Sequence, residues 1–193
     1  MVVADITGRL AEPRRLPTVT LEGWREFVDT KPAELAPLDA AGYATLRGRA
    51  RQNYNEQRLA YHSELVIVET SSVREILRQG RLLVLLNQRE IGARRSLIVD
   101  GPWASGKSTS IKWLGRTHEQ WVRKRHPGGD RIPVVYITTP PKGSPRKLAS
   151  EFAHFLGLPD RARYNTTDIA DAVSHVLTAA RTDLVLVDFT NRN

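Results

Sequence analysis

A short apolar run passes directly into a glycine-rich loop near the middle of the chain. Residues 96–100, Ser-Leu-Ile-Val-Asp, have the pattern of a buried strand, and the next nine residues read Gly-Pro-Trp-Ala-Ser-Gly-Lys-Ser-Thr. This is the G-x-x-x-x-G-K-[ST] pattern, whose backbone N–H groups surround phosphate oxygens at the positive end of a helix. A strand, a phosphate loop and a helix in this order predict an α/β protein that binds a nucleoside triphosphate.

The residue types in the loop predict its cofactors. Lys107 is expected to reach the β- and γ-phosphates of ATP, and the Ser108 hydroxyl is expected to ligand Mg²⁺. The predicted nucleotide-binding set is Gly101, Pro102, Trp103, Ala104, Ser105, Gly106, Lys107, Ser108 and Thr109.

A second segment has the form of a Walker B strand. Four apolar residues, Leu184-Val-Leu-Val187, lead into Asp188. The carboxyl ends of parallel strands are where α/β sheets bind ligands, so Asp188 is predicted to orient Mg²⁺ through Ser108 or a water. The alternative is a strand that merely ends in a solvated aspartate.

The rest of the chain alternates between helix and strand patterns. We expect a strand at 133–138, a strand at 183–188, and helices at 107–124, 145–156 and 167–180. This alternation predicts a parallel sheet with helices on both faces. Residues 1–70 are predicted to form an N-terminal arm and helical extension, with helices near 21–28 and 39–61, and residues 71–193 to form a P-loop core.

The composition of the chain bears on its location in the cell and on the kind of molecule that it binds. The chain has 193 residues, no cysteine and a formal net charge of +8. The absence of cysteine fits a reducing compartment, and no apolar run is long enough to span a membrane. The N-terminus lacks the pattern of a signal peptide, so a cytoplasmic location is expected. Positive charge predicts polyanionic partners such as duplex DNA, although an arginine bias from GC-rich coding would give the same excess.

Two arginine-rich groups are candidates for contact with DNA phosphates. They are Arg47, Arg49, Arg51 and Arg58 in the first helical region, and Arg123-Lys124-Arg125 at the end of the helix after the phosphate loop. The alternative for each group is a solvated helix face.

Several segments together resemble the TniB family of AAA+ transposition ATPases. They are the phosphate loop, residues 132–141, residues 145–159, Thr167-Asp-Ile-Ala170 and residues 183–188. The resemblance covers roughly residues 72 to 188. It implies a three-layer AAA+-like P-loop fold and an ATP-dependent regulator that assembles on target DNA. The partners it implies are a transposase or TniA/TniQ-like proteins and further copies of the chain.

The chain departs from this family at and after Asp188. The family places a Glu after the Walker B aspartate as the base that polarises the attacking water, whereas this chain has Phe189. The sequence stops at Asn193, before the sensor strand, the last sheet strand, the arginine finger and the helical lid of the family. A premature stop or frame change would produce such a tail. The expected result is a gap in the sheet and impaired hydrolysis, and no catalytic residue is assigned.

Two other functions stay open from the sequence. One is a non-catalytic module that binds DNA or protein and no longer uses nucleotide. The other is a P-loop kinase, although no arginine-bearing lid follows. A GTPase is disfavoured because Asp188-Phe-Thr-Asn191 does not match D-x-x-G and no N-K-x-D motif follows.

Overall fold

The computed structural model describes residues 16–31, 35–63, 67–88, 92–139, 143–159 and 165–189. These residues form α1 (Leu21–Asp29), α2 (Ala40–Thr45), α3 (Gly48–Ser63), α4 (Ser71–Asn87), α5 (Lys107–Arg125), β1 (Val134–Thr138), α6 (Pro145–Phe155), α7 (Thr166–Ala179) and β2 (Leu184–Asp188). No helix in this part of the chain is both long enough and apolar enough to cross a membrane.

The chain divides into two compact units. One contains residues 30–70, with α2 and α3, and the other contains α1 together with everything from residue 71 onward. The change of unit at residue 70 coincides with the sequence-based boundary. Helix α1 belongs to the larger unit, and the division into domains of residues 1–70 and 71–193 stays a prediction.

The two predicted strands form a parallel pair. Val134 is in register with Leu184 and Thr138 with Asp188. Successive side chains of a strand point to opposite faces, and residues 134–137 are all buried, so β1 is covered on both faces. The described larger unit is therefore helix-rich with a small two-stranded parallel sheet, which is consistent with the predicted α/β class.

The expected buried strand at residues 96–100 is wrong for the described structure. Residues 93–100 have no regular secondary structure, and Ile98 is 87% exposed. A strand needs a neighbour for its backbone N–H and C=O groups, and the described sheet contains only β1 and β2. The apolar sequence at this position is thus not sufficient to form a strand.

The helix expected at 39–61 is interrupted. Asp39 caps α2 by accepting a hydrogen bond from the Gly42 N–H, and Leu46 then leaves helical geometry. Gly48 adopts a φ of 49° at the start of α3. The extended conformation of Leu46 ends α2 and the positive φ of Gly48 begins α3, a break that hydrophobic spacing alone did not indicate.

Two helices of the larger unit, α6 and α7, begin directly after residues whose side chains cap them. Ser144 accepts a hydrogen bond from the Lys147 N–H before Pro145, as predicted for α6. Asn165 and Asp168 form a reciprocal capping box at the start of α7, which the sequence reading missed.

The main core joins side chains of α1, α4, α5 and α6 with those of β1 and β2. Its most deeply buried large side chains include Trp24, Tyr136 and Phe155. The Trp24 ring stacks on Tyr136 with centroids 5.7 Å apart, and its Nε1 donates to Glu119 Oε2 at 2.5 Å. A short N-terminal helix is thereby fastened to both β1 and α5.

Gly115 lies where three elements meet. A Cβ atom at this position of α5 would lie 2.6 Å from Leu186 Cδ1 and 2.8 Å from Trp24 ring carbons. The absence of a side chain therefore allows α5 to approach both β2 and α1 closely.

We predict that Gly115→Ala destabilises the fold by about 1–3 kcal/mol, because overpacking outweighs the roughly 1 kcal/mol that alanine normally gains in a helix. Chemical denaturation followed by circular dichroism measures the change. Gly92→Ala is the control, since a Cβ there meets no atom within 4 Å in the part of the chain that the structure describes. Equal stability of the two variants would contradict the proposed close packing at Gly115.

Candidate nucleotide and metal site

The phosphate loop precedes α5 as a tight, exposed turn. Residues 101–106 lead into the helix, and Lys107, Ser108 and Thr109 form its first turn. Gly106 adopts a φ of 82° and Ala104 a φ of 58°. A Cβ on Gly106 would meet no atom of the described residues within 4 Å, so the backbone angle, and not lack of space, favours glycine there.

The N-terminus of α5 is suited to an anion. Gly106 occupies the N-cap position and has no side chain to accept from the first N–H groups, and the first turn contains no acidic residue. The first N–H groups of a helix have no partner within the helix, and the helix dipole adds positive potential there. Phosphate oxygens fit both features.

Lys107 folds back over the loop. Its Nζ donates to the carbonyl oxygens of Gly101 and Pro102, each at 2.7 Å. An ammonium group has three N–H donors, so one remains for a phosphate oxygen after these two contacts with described residues. These contacts hold the Lys107 ammonium group against the loop, and its predicted contact with the β- and γ-phosphates stays a prediction.

The structure brings the two predicted metal ligands together. Ser108 Oγ donates to Asp188 Oδ1 at 3.1 Å, although the residues are 80 positions apart in the chain. The parallel register of β1 and β2 places Asp188 at the carboxyl end of the sheet, and α5 brings Ser108 to the same edge. The alternative of a merely solvated Asp188 is wrong, because this residue is only 9% exposed.

This oxygen pair fits Mg²⁺ in the presence of a phosphate ligand. Mg²⁺ is usually held by one or two protein oxygens, with substrate phosphates and waters completing the octahedron. Within the described ranges, no group of three or more His, Cys, Asp or Glu residues gathers as an all-protein metal site. Ser108 and Asp188 are the residues that would hold the ion, which supplies positive charge at the phosphates.

Tyr136 is a member of the site that the sequence reading missed. Its hydroxyl donates to Asp188 Oδ2 at 2.7 Å, and the residue is only 2% exposed. Burial is the larger cause and the hydrogen bond to Asp188 the smaller cause of a raised pKa of the Tyr136 hydroxyl, which therefore stays a donor at neutral pH. A tyrosine inside an apolar strand needs a partner for its hydroxyl, and that requirement was the available signal.

Lys112 completes the surroundings of the carboxylate. Its Nζ lies 4.8 Å from the centre of the Tyr136 ring. Burial lowers the pKa of Lys112, while the negative charge of Asp188 opposes that change. The carboxylate thus lies among two hydroxyl donors and a half-buried cation.

Two aromatic residues at the site are exposed. Trp103 in the loop is 85% exposed, and Phe189 directly after β2 is 79% exposed. A phenyl ring has neither donor nor acceptor, so Phe189 cannot activate a water molecule.

Comparison with known protein families identifies an AAA domain at residues 89–188, slightly more than half of the chain. The chain belongs to the AAA domain family. This domain includes the whole phosphate loop and ends at Asp188, the last residue of β2. No curated protein and no solved structure matched the chain.

Membership of the family makes the chain a nucleotide-binding P-loop protein of the AAA type. The family typically uses Mg²⁺ with its nucleotide, which agrees with the pairing of Ser108 and Asp188. The roles of the individual loop residues and of Asp188 stay predictions.

We predict that Asp188→Ala weakens ATP binding mainly when Mg²⁺ is present, because the carboxylate acts on the nucleotide through the metal. Titrations of a fluorescent ATP analogue with Mg²⁺ and with EDTA measure the two affinities. An equal loss in both conditions would show that Asp188 acts only in folding.

Proposed function

We propose that this AAA domain binds Mg-ATP and acts as an ATP-dependent regulator of the TniB type in transposition. The observation that carries the nucleotide part is the convergence of the phosphate loop, Lys107 and the Ser108–Asp188 pair at one edge of the sheet. The residues that resemble the TniB family support the finer assignment. In this proposal the fold is a three-layer AAA+-like sandwich.

Slow hydrolysis is part of the proposal. The TniB resemblance calls for a Glu after Asp188, where this chain has the exposed Phe189. ATP would then serve mainly as a bound ligand that stabilises one conformation or assembly of the chain. A non-catalytic interaction module remains the alternative, and it differs by not needing nucleotide.

We predict that Lys107→Ala reduces Mg-ATP affinity by at least about a hundredfold, since charge-assisted contacts to phosphate are among the strongest hydrogen bonds. Calorimetric titration of the full chain with Mg-ATP measures the loss. Lys124→Ala is the matched control, because it removes one lysine charge at the far end of the same helix. Unchanged affinity in Lys107→Ala would refute the loop assignment, whereas absence of Mg-ATP binding by the parent chain would favour the non-catalytic module.

The proposed partners are duplex DNA, a transposase or TniA/TniQ-like protein, and further copies of this chain. The net charge of +8 supports the DNA part. The surroundings of each arginine group indicate which cations are available to phosphates.

The arginines of the smaller unit are largely engaged within that unit. Arg47 donates to the carbonyl oxygens of Ala44 and Leu46 at the end of α2. Arg51 donates to the Tyr43 hydroxyl at 3.2 Å and lies 4.8 Å from the centre of its ring. These contacts favour a structural role for Arg47 and Arg51 over contact with DNA.

A basic groove at the C-terminal end of α5 is the better candidate. It has a volume of about 340 Å³, and its lining includes the charged residues Arg25, Asp29, Arg123 and Arg131 together with His126. Arg123 is neutralised by ion pairs with Asp29 and Glu119 at 2.7 and 2.5 Å. Among the described residues, neither Arg25 nor Arg131 has an ion-pair partner, so we propose that these two contact backbone phosphates.

We predict that the double variant Arg25→Ala, Arg131→Ala lowers the log-log salt slope of duplex binding by roughly two units, because each neutralised phosphate contributes about 0.9. Fluorescence anisotropy over a salt series measures the slope. The triple variant Arg47→Ala, Arg49→Ala, Arg51→Ala is the control and should leave the slope unchanged. The reverse result would place DNA on the smaller unit, and no binding at low salt would remove DNA from the proposal.

A further inference from the structure

We propose that Tyr136 is a positioning residue for the metal site, which holds the Asp188 carboxylate in the orientation that presents Oδ1 beside Ser108. This inference rests on the proposed function, because it concerns how the same Mg-ATP site is prepared. It adds a residue that lies on neither the phosphate loop nor the Walker B strand.

The two oxygens of the Asp188 carboxylate accept hydrogen bonds from different residues. Tyr136 donates to Oδ2 at 2.7 Å and Ser108 donates to Oδ1 at 3.1 Å. A carboxylate that is held at one oxygen cannot rotate freely about its last bond, so the other oxygen keeps one direction. That direction is toward the first turn of α5, where a phosphate-bound Mg²⁺ would lie.

The position of the Tyr136 side chain is fixed by its burial in β1 and by the packing of Trp24. The tyrosine side chain comes from the middle of β1, and all four residues 134–137 of that strand are buried. Trp24 stacks on the ring at an interplanar angle of 15°, and Glu119 in turn accepts a hydrogen bond from Trp24. The phenol is therefore held by packing that is independent of the phosphate loop, as a positioning group requires.

The nearby cation explains why positioning is needed. Lys112 lies against the Tyr136 ring, and the charge of Asp188 acts on its ammonium group. Without the phenol hydroxyl, Oδ2 would lose its donor, and attraction to Lys112 would compete with Mg²⁺ for the carboxylate. A carboxylate engaged by lysine presents less negative charge to a metal ion.

The test compares the full chain with Tyr136→Phe, which keeps the ring, its stacking and its contact with Lys112. The readout is the Mg²⁺ concentration that gives half-maximal binding of a fluorescent ATP analogue, with the affinity in EDTA measured separately. We expect the required Mg²⁺ concentration to rise on the order of tenfold, equivalent to about 1.4 kcal/mol, with unchanged affinity in EDTA. Binding of Mn²⁺ to the nucleotide complex, followed by electron paramagnetic resonance, should weaken in parallel.

Ile137→Val is the matched control, because Ile137 is also buried in β1 while its side chain points to the opposite face of the strand from Tyr136. It should lower the melting temperature without changing the Mg²⁺ requirement. An unchanged requirement in Tyr136→Phe, or an equal loss with Mg²⁺ and EDTA, would overturn the positioning role while leaving Mg-ATP binding intact. Absence of ATP binding by the parent chain in both conditions would overturn the proposed function and the role of Tyr136 together.

Discussion

The hydrogen bonds to the Asp188 carboxylate connect three elements of the larger unit. Ser108 reaches it from α5, Tyr136 reaches it from β1, and the carboxylate itself ends β2. A nearly buried charge is costly unless donors surround it, and these two hydroxyl groups meet that requirement. The same contacts that allow Asp188 to be buried therefore also set the distance between the phosphate loop and the end of the sheet.

The position of α5 depends in turn on what packs along its length. Gly115 permits close approach to Leu186, and Trp24 occupies the space beside it while bonding to Glu119. A shift of α5 would move Ser108 and Lys107 together, because both lie in its first turn. Helix α1, although distant from the loop in sequence, thus contributes to the geometry of the site through α5 and through Tyr136.

Short sequence patterns predicted those features of the structure that depend only on neighbouring residues in the chain. The glycine spacing located the loop, the apolar runs located β1 and β2, and Ser144 with Pro145 located the start of α6. Residues 96–100 were different, because strand formation depends on a neighbouring strand that supplies hydrogen bonds and cover. Their apolar pattern could indicate a tendency to form a strand, but it could not show whether a neighbouring strand is present to pair with it.

The role of Tyr136 was hidden for a related reason. Asp188 follows it by 52 positions, and only the pairing of Thr138 with Asp188 shows that Tyr136 lies two residues back on the adjacent strand. A tyrosine in an apolar strand predicts that its hydroxyl has a hydrogen-bond partner, but it does not identify that partner. A site residue that meets its partner across two paired strands can therefore be identified only when the strand register is known. The residues of the phosphate loop, in contrast, can be identified from their spacing in the sequence.

Net charge is a similarly incomplete guide to a binding surface. The chain has an excess of positive residues, yet Arg47, Arg51 and Arg123 each make contacts within their own unit. A guanidinium group held by a carbonyl, an aromatic ring or a carboxylate must give up that contact, or share it, before it can neutralise a phosphate. The availability of cations, more than their number, determines where a polyanion would bind, and this criterion favours Arg25 and Arg131 beside the end of α5.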